Sequence, residues 1–239
     1  MKHVTWLLWW LGVVASATRL QAQCPDGSPP PCGTARAAVA PATNSVAVLY
    51  FDNLSRDTAD AYLAEGLTEE LIAQLGRVER LVVKSRNAVR RYRAAELDPA
   101  QLGRALGVAH LVSGSVRRSG TRLRVTVELV RATTGVRLWG EQYDRAQADL
   151  LDLQEGIARA VAGVIAGRLL PAERATLAAR PTRSPEAYDY FVKGNYYLAQ
   201  RTARSTKQAV DQYRAALRLD PGFTRALARI AYAHAQTLY

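Results

Sequence analysis

Residues 110–141 have the sequence HLVSGSVRRSGTRLRVTVELVRATTGVRLWGE, in which three runs of strand-forming residues alternate with short turns. The runs extend from His110 to Val116, from Leu123 to Val130 and from Val136 to Glu141. In the middle run, hydrophobic and polar side chains alternate: Leu123, Val125, Val127 and Leu129 against Arg122, Arg124, Thr126 and Glu128. The pattern predicts a meander of three strands with one face on a core and the other in water.

Two strand and helix pairs are predicted before this meander. The hydrophobic run from Val46 to Phe51 is typical of a central strand covered on both faces. Asp57 or Thr58 can cap the following helix, and the run from Leu81 to Lys84 predicts a second strand. The inward stripe of the first helix is formed by Leu63, Leu67, Leu71, Leu75 and Val78.

Two further helices complete the main domain. Asp98 followed by Pro99 marks the start of the second helix, with Leu102, Leu106 and Val108 inward, and Asp149 is the predicted cap of a long helix after the meander. The order βαβαβββα over residues 45–170 predicts an α/β fold class, a mixed-sheet α/β sandwich. An all-α helical hairpin is predicted to follow it.

Four stretches of this domain resemble a known family. They are SVAVLYFDNLSRD (45–57), YLAEGLTEELIAQLGRV (62–78), residues 106–145 and LLDLQEGIARAVA (150–162), and they resemble the TolB N-terminal-domain-like family. Domains of this family are often followed by tetratricopeptide repeats (TPRs). Such arrangements occur in winged-helix transmembrane regulators, class III adenylate cyclases and Ser/Thr kinases, whose effector sequences do not occur in these 239 residues. The resemblance implies an interaction module rather than an enzyme.

The tail is predicted to contain a linker, residues 171–183, and an incomplete array of TPR-like helices, residues 184–239. Ser184 followed by Pro185 predicts one helix start, and the sequence from Ser205 to Gln208 predicts a capping box. Positions that match the TPR signature are Tyr190, Gly194, Tyr197, Ala209, Tyr213, Ala216 and Pro221. We expect the three tyrosines among them to be core residues rather than contact residues. About three repeats are normally needed for stability. We therefore expect the helix over 223–239 to be covered by more repeats, by the main domain or by a second subunit.

The N-terminus resembles an export signal. Lys2 precedes the apolar run from Val4 to Ala17, so residues 1–22 predict a signal peptide cleaved after Ala22 or, as a second choice, after Ala17. An uncleaved membrane anchor is the alternative. Residues 23–44 have a linker composition, and the oxidising compartment beyond the membrane favours a structural disulfide between Cys24 and Cys32 over a metal site.

The net charge of +11 does not concentrate in the main domain, where 18 basic residues oppose 15 acidic ones over positions 45–170. This distribution, together with export, argues against a nucleic-acid partner. A candidate patch for an anionic partner, such as an envelope polymer, is formed by Arg77, Arg80, Lys84, Arg86, Arg90, Arg91 and Arg93. The competing interpretation is a solvated basic edge. The hairpin arginines Arg117, Arg118, Arg122 and Arg124 leave the same two options open.

Signals for catalysis are weak in this sequence. His110 and His234 have no titrating partner nearby in sequence, and we interpret Glu69 and Glu70 as a solvated helix face. Motifs for a phosphate loop, a dinucleotide site, a zinc protease or a hydrolase do not occur. We therefore expect no catalytic residues, no cofactor and no metal. The expected function is that of an exported envelope module for protein partners, with a peptide or helix on the TPR surface. The alternative is the extracytoplasmic sensory part of a signalling or transcription-regulating protein.

Overall fold

The computed structural model describes residues 40–236. The predicted signal peptide and the Cys24–Cys32 disulfide lie outside the described residues, as does most of the predicted linker over 23–44. Within the described range, no helix has both the length and the hydrophobicity that a membrane span requires.

A mixed sheet of six strands forms the centre of the described chain. The strands are β1 (Ser45–Val48), β2 (Asp52–Asn53), β3 (Val82–Val83), β4 (His110–Ser119), β5 (Arg122–Arg131) and β6 (Arg137–Ala146). Across the sheet the strands are ordered β3-β1-β4-β5-β6. Strand β2 lies outside this order and pairs with β4. Strand β1 is parallel to both β3 and β4, and β2 is also parallel to β4. Strands β4, β5 and β6 form an antiparallel meander. The predicted mixed-sheet α/β fold is confirmed.

Eight α-helices surround and follow the sheet within residues 40–236. They are α1 (Ala61–Leu75), α2 (Arg86–Arg90), α3 (Pro99–Leu106), α4 (Leu150–Ala166), α5 (Pro171–Ala178), α6 (Pro185–Ala199), α7 (Ala203–Leu219) and α8 (Thr224–Gln236). Short 3-10 turns precede α1 and α4, at Thr58–Asp60 and Gln147–Asp149. Helix α5 forms inside the stretch that the sequence predicts as a linker.

Side chains at the predicted helix starts have mixed outcomes. Asp57, Asp98 and Ser184 each accept a backbone N–H of the turn that they cap, as predicted. The predicted capping box at Ser205 is wrong, because the cap is Thr202, three residues earlier, and Ser205 is its N3 partner. Asp149 occupies the N-cap position of α4, but its side chain makes no capping hydrogen bond.

Hydrophobic side chains cover the sheet on two faces. Val46, Val48 and Val125 belong to the larger core, which α1 and α4 cover, whereas Ala47 and Leu111 belong to a smaller core under α2 and α3. Strand β1 is therefore buried on both faces, as its uninterrupted hydrophobic run predicts. The alternation over Arg122–Leu129 is also confirmed, because its four apolar side chains are buried and its four polar ones are exposed.

Helices α6, α7 and α8 extend the larger core rather than forming a separate one. Phe191 packs against Tyr213 and Phe223, with ring centroids 5.9 and 4.9 Å away. Gly66 of α1 lies so close to α6 that an added Cβ would come within 2.1 Å of Val192 Cγ1. The sheet domain and helices α6–α8 therefore share one hydrophobic core.

The tyrosines predicted for the core of the tail differ in burial. Tyr213 is fully buried, Tyr197 is half-buried, and Tyr190 is exposed, so the core expectation is wrong for Tyr190. The buried aromatic residues of α6 are Tyr188 and Phe191, because the helix is rotated to face α1 as well as α7. Membership of the TPR family stays a prediction.

Candidate functional site

The seven basic residues of the predicted patch are spread over several contacts. Four of them form ion pairs with glutamates of the chain: Arg77 with Glu70, Arg80 with Glu173, Arg86 with Glu69 and Arg93 with Glu65. Arg90 donates a hydrogen bond to the Ala199 carbonyl, 3.4 Å away. Among the described residues, Lys84 and Arg91 are paired with no carboxylate. Internal partners thus take up much of this charge, and an external anionic partner for the patch stays a prediction.

The interpretation of Glu69 and Glu70 as a solvated face is wrong, because Glu70 is buried and the Glu69 side chain is only 13% exposed. Glu70 is 6% exposed and receives two hydrogen bonds from the Arg225 guanidinium, at 3.1 and 2.7 Å. Burial raises the pKa of Glu69, which the Arg86 guanidinium opposes. Helix α8 and the segment around α2 cover this side of α1. Sequence periodicity could not show this cover, because it is supplied by residues more than 15 positions away.

A polar network joins the sheet domain to α6. The Tyr62 hydroxyl donates to Asp189 Oδ1 over 2.8 Å, and Gln147 Nε2 donates to the same oxygen over 2.9 Å. Lys193 pairs with the other Asp189 oxygen at 2.7 Å. Burial, together with the Asp189 charge, raises the pKa of Tyr62, so this hydroxyl is a donor at neutral pH. The network holds α6 in a defined position on the sheet domain.

A second ion pair joins α5 to the chain after α1. Arg80 donates through Nε and Nη2 to the two oxygens of Glu173, at 2.7 and 2.6 Å, and also to the Ala166 and Arg168 carbonyls. Hydrogen bonds from Arg80 and from the Leu170 backbone lower the pKa of Glu173 to about 2. The bidentate geometry indicates a structural role for both residues.

A cleft of about 940 Å³ lies at the hairpin end of β4 and β5. We call it the arginine cleft, and it is lined by Leu54, Arg56, Asp57, Asp60, Arg117, Arg118, Ser119, Gly120, Arg122, Arg124 and Asp144. Arg117 is directly opposite Arg124 on the neighbouring strand, and Arg124 is directly opposite Asp144. The structure therefore brings together the four hairpin arginines that the sequence singled out, and it adds Arg56 from the loop after β2.

Each of the three aspartates of the arginine cleft has a hydrogen-bond or ion-pair partner within the chain. Asp60 pairs with Arg118 at 3.1 Å, and Asp144 pairs with both Arg122 and Arg124, at 2.6 and 3.0 Å. Hydrogen bonds from Arg124 and Arg122 lower the pKa of Asp144. Asp57 accepts the Ala59 backbone N–H at 2.8 Å. In the described part of the chain, Arg56 and Arg117 have no carboxylate partner.

Helix α8 leaves a second surface open. Phe223, Ala226 and Ala233 are fully buried, whereas Leu227 and Tyr232 are each 50% exposed. Tyr232 borders a groove of about 760 Å³ between the start of α7 and the end of α8. From the sequence, we expect other parts of the protein to cover α8. Helix α7 packs against α8, and Arg225 of α8 pairs with Glu70 of α1, so these two helices cover part of it.

Within residues 40–236, neither a histidine nor a cluster of metal-ligating side chains lines the arginine cleft or the groove at α8. His110 Nδ1 lies 3.2 Å from the Ser45 carbonyl oxygen, and burial lowers the pKa of this histidine. Over residues 40–236, no three side chains of the His, Cys, Asp or Glu type come together as a metal site would require. The expected absence of catalytic residues, metal and cofactor stays a prediction.

Comparison with known proteins gives two sequence matches. Residues 42–160 match the family profile of the second domain of HilA/YgeH-like transcriptional regulators. A Rhizobium meliloti (strain 1021) protein named "Putative adenylate cyclase 3" is 35% identical over 191 residues. That match covers 80% of this chain but only 32% of the relative, so the chain spans about a third of the protein that it resembles.

Several solved structures are similar to about half of this chain. TolB from Acinetobacter baumannii is 18% identical, with a TM-score of 0.40 over 54% of this chain and 29% of that one. Lipoprotein GNA1162 from Neisseria meningitidis is 19% identical, with a TM-score of 0.39 over 53% of this chain and 99% of that one. The LpoB C-terminal domain from Escherichia coli is 16% identical, with a TM-score of 0.35 over 44% and 83%. TolB is thus among the structural neighbours, whereas the family profile that matches is the HilA/YgeH-like one.

Proposed function

We propose that this chain is a non-enzymatic module for protein partners, and that the open face of α8 with its groove receives a peptide or helix of the partner. The observation that carries the proposal is the division of α8 into a buried stripe, with Ala226 and Ala233, and an open side, at whose two edges Leu227 and Tyr232 are each 50% exposed. Tyr232 also lines the groove, and exposed apolar side chains at a groove are typical of surfaces that accept an amphipathic helix.

The anchoring of α8 supports this role. Arg225 pairs with Glu70 and also lies over the Phe191 ring, with 5.0 Å between the guanidinium carbon and the ring centroid. The inner face of the helix is therefore held by a charge pair and by aromatic packing. A partner would meet a preformed surface, which lowers the entropic cost of binding.

Site-specific photocrosslinking tests the proposed surface. A photoreactive amino acid at Leu227 or at Tyr232 should yield a discrete covalent adduct in native cells. The matched control is the same amino acid at Val164 of α4, which is 42% exposed and lies away from the groove lining. Adducts of one mass from positions 227 and 232, and none from 164, support the proposal. Equal adducts from all three positions, or none, contradict it. An adduct of twice the chain mass identifies a second copy of the chain.

We further propose that the module acts in the cell envelope after export by the predicted signal peptide. Protein sequencing of the mature N-terminus, combined with fractionation of the native cell, tests this location. A periplasmic protein beginning at residue 23 or residue 18 supports export. A membrane-bound protein that keeps Lys2 supports the uncleaved anchor. A cytosolic protein with all 22 leader residues contradicts both.

A second candidate function is the regulatory part of a signalling protein. Two observations favour it: the match to the second domain of a transcriptional-regulator family, and the coverage of a third of the cyclase-named relative. An antibody against this chain distinguishes the candidates in native cells. A stand-alone module gives a band at the mass of these residues, whereas a regulatory part gives a much larger band or co-purifies with an effector protein.

A further inference from the structure

We propose that the arginine cleft binds a phosphate-bearing anion of small-molecule size. The inference rests on five arginines that converge on one cavity, two of which have no acidic partner in the described chain. It concerns a different surface from the groove at α8, and it holds or fails independently of the proposed protein partner.

The charges of the cleft do not balance. Arg56, Arg117, Arg118, Arg122 and Arg124 supply five positive charges, and Asp57, Asp60 and Asp144 supply three negative ones. The Asp60–Arg118 pair is buried at its acidic end, and Asp144 is shared between two guanidinium groups. The cleft therefore has an excess of two positive charges, and its two arginines without a carboxylate partner, Arg56 and Arg117, are both exposed.

The sheet register places two like charges directly opposite each other. Arg117 on β4 faces Arg124 on β5, and cross-strand pairs of equal charge are unfavourable for folding. The neighbouring Asp144 relieves only part of this repulsion, because it also serves Arg122. An anion between Arg117 and Arg124 would relieve the rest, so the electrostatic potential of the cleft favours one.

The backbone that carries the unpaired arginines is fixed. The Leu54 N–H donates to the Val116 carbonyl over 2.8 Å, and the Arg118 N–H donates to Ser55 Oγ over 2.9 Å. The loop with Arg56 is thereby held against the strand with Arg117. Binding therefore orders only the ends of the side chains, which keeps its entropic cost small.

The chemistry of the cleft favours phosphate over a single carboxylate. Planar guanidinium groups bind phosphate oxygens in bidentate pairs, and several of them can surround one tetrahedral group. A volume of about 940 Å³ also exceeds the needs of inorganic phosphate and lies in the range of ligand sites. A soluble phosphate ester and a phospholipid headgroup present the same group, and the experiment below separates them.

Calorimetric titration of the purified protein with pyrophosphate, at low salt, tests the proposal. Arg117→Gln and Arg56→Gln should each weaken binding about tenfold, since each removes one charge-assisted contact. Arg174→Gln is the matched control, because Arg174 is exposed on α5, outside the cleft lining, and the change in net charge is identical. It should weaken binding less than about twofold.

Vesicles identify the source of the phosphate group. In flotation assays, the protein is mixed with phosphatidylcholine vesicles with and without phosphatidylglycerol. Binding that needs phosphatidylglycerol and is lost in Arg117→Gln identifies a lipid headgroup, whereas pyrophosphate binding without flotation identifies a soluble ligand. Binding of neither probe at low salt overturns the proposal. An equal loss of affinity in Arg117→Gln and Arg174→Gln also overturns it.

A thermal unfolding measurement checks the role of repulsion separately. Without added anion, Arg117→Gln should melt at a higher temperature than the native sequence, because the clash with Arg124 is gone. Pyrophosphate at one fixed concentration should raise the melting temperature of the native protein more than that of the variant, because the variant binds it more weakly. A variant that is less stable without anion and equally stabilised by pyrophosphate would speak against an anion site at Arg117.

Discussion

The Glu70–Arg225 pair shows how single residues connect distant parts of the chain. Glu70 is almost fully buried on α1, and its two oxygens accept hydrogen bonds from an arginine 155 positions later. A buried carboxylate that loses its partner pays the cost of desolvation without compensation. Arg77, at 3.5 Å, is the only other ion-pair partner of Glu70 within residues 40–236.

Arg225→Gln should lower the free energy of unfolding by about 2 kcal/mol, less than the about 3 to 5 kcal/mol of fully buried pairs. The expected loss is smaller than for a fully buried pair because the Arg225 side chain is 33% exposed and Glu70 keeps its contact with Arg77. Urea denaturation measures the change. Arg218→Gln, at an exposed α7 position, is the control and should change stability by less than about 0.5 kcal/mol. Equal effects of the two variants would contradict the structural role of Arg225.

Glu173 should make stability depend on pH in the acid range. Its folded-state pKa of about 2 is below the ordinary value of 4.5, so its contribution is complete above pH 4.5 and is lost as the pH falls towards 2. Glu173→Gln should therefore be less stable than the native protein at pH 7, and the difference should vanish near pH 2. Thermal melts across this pH range measure it. Glu96→Gln, at an exposed loop position, should leave the native pH profile unchanged.

At the level of elements, helix starts depend on whether a capping residue reaches its backbone donor. Asp98 and Asp149 both precede helices and both have the residue type of a cap. Asp98 Oδ1 accepts the Gln101 N–H over 2.7 Å, and Gln101 Oε1 accepts the Asp98 N–H over 3.0 Å. Asp149 is the last residue of a 3-10 turn, which holds its backbone in a different conformation, and its side chain makes no capping hydrogen bond.

These two aspartates form a matched pair for mutation. Asp98→Ala should lower the free energy of unfolding by about 1 kcal/mol, the usual value for a lost N-cap. Asp149→Ala should lower it by less than about 0.5 kcal/mol, since only the interaction with the helix dipole is removed. Chemical denaturation of both variants measures the difference. A larger loss for Asp149→Ala would show that the assignment of the caps is wrong.

The contact between α1 and α6 depends on one glycine. A Cβ at Gly66 would overlap Val192, whose branched side chain is buried and has little freedom to rotate. Gly66→Ala should therefore destabilise the protein by about 1 to 3 kcal/mol, the range for an overpacked core. The double variant with Val192→Ala should recover part of this loss. Thermal and urea unfolding measure both.

A second glycine serves as the control for Gly66. Gly156 lies in the middle of α4, and a Cβ there would meet no atom within 4 Å. Gly156→Ala should therefore increase stability by about 0.5 to 1 kcal/mol, because alanine loses less backbone entropy in a helix. Replacing glycine by alanine should thus lower stability at Gly66 and raise it at Gly156. A change of stability in the same direction at both positions would contradict the close approach of α1 and α6.

On the scale of the whole molecule, the α/β part and the helical tail form one interior. The Phe191 side chain belongs to the same hydrophobic core as Leu71 and Ile157, and the described residues 40–236 lie in one compact unit. The Tyr62–Asp189 and Glu70–Arg225 contacts cross the same boundary. Neither part can therefore expose its share of the core without a large loss of hydrophobic free energy.

Unfolding should consequently be a single cooperative transition. Differential scanning calorimetry should give one peak whose calorimetric and van't Hoff enthalpies agree, and circular dichroism should follow the same curve. Two peaks, or a helical signal that is lost before the main peak, would show that α6–α8 unfold independently of the sheet. The Arg225→Gln variant should shift the peak without splitting it.

The amino-acid sequence alone determined the local elements of this protein. The alternation over Leu123–Leu129 predicted the two faces of β5, and Asp98–Pro99 and Ser184–Pro185 predicted helix starts, because these signals act between near neighbours in the chain. The sequence also singled out the four arginines of the β4–β5 hairpin.

Only the tertiary structure decided which charges are paired and which surfaces stay open. Glu70 is buried because α8 covers it, Tyr190 is exposed because α6 turns towards α1, and Arg117 lacks a partner because the register places Arg124 opposite it. Burial and electrostatic pairing depend on residues that are far apart in the chain and close in space. The pattern of one segment does not contain that information.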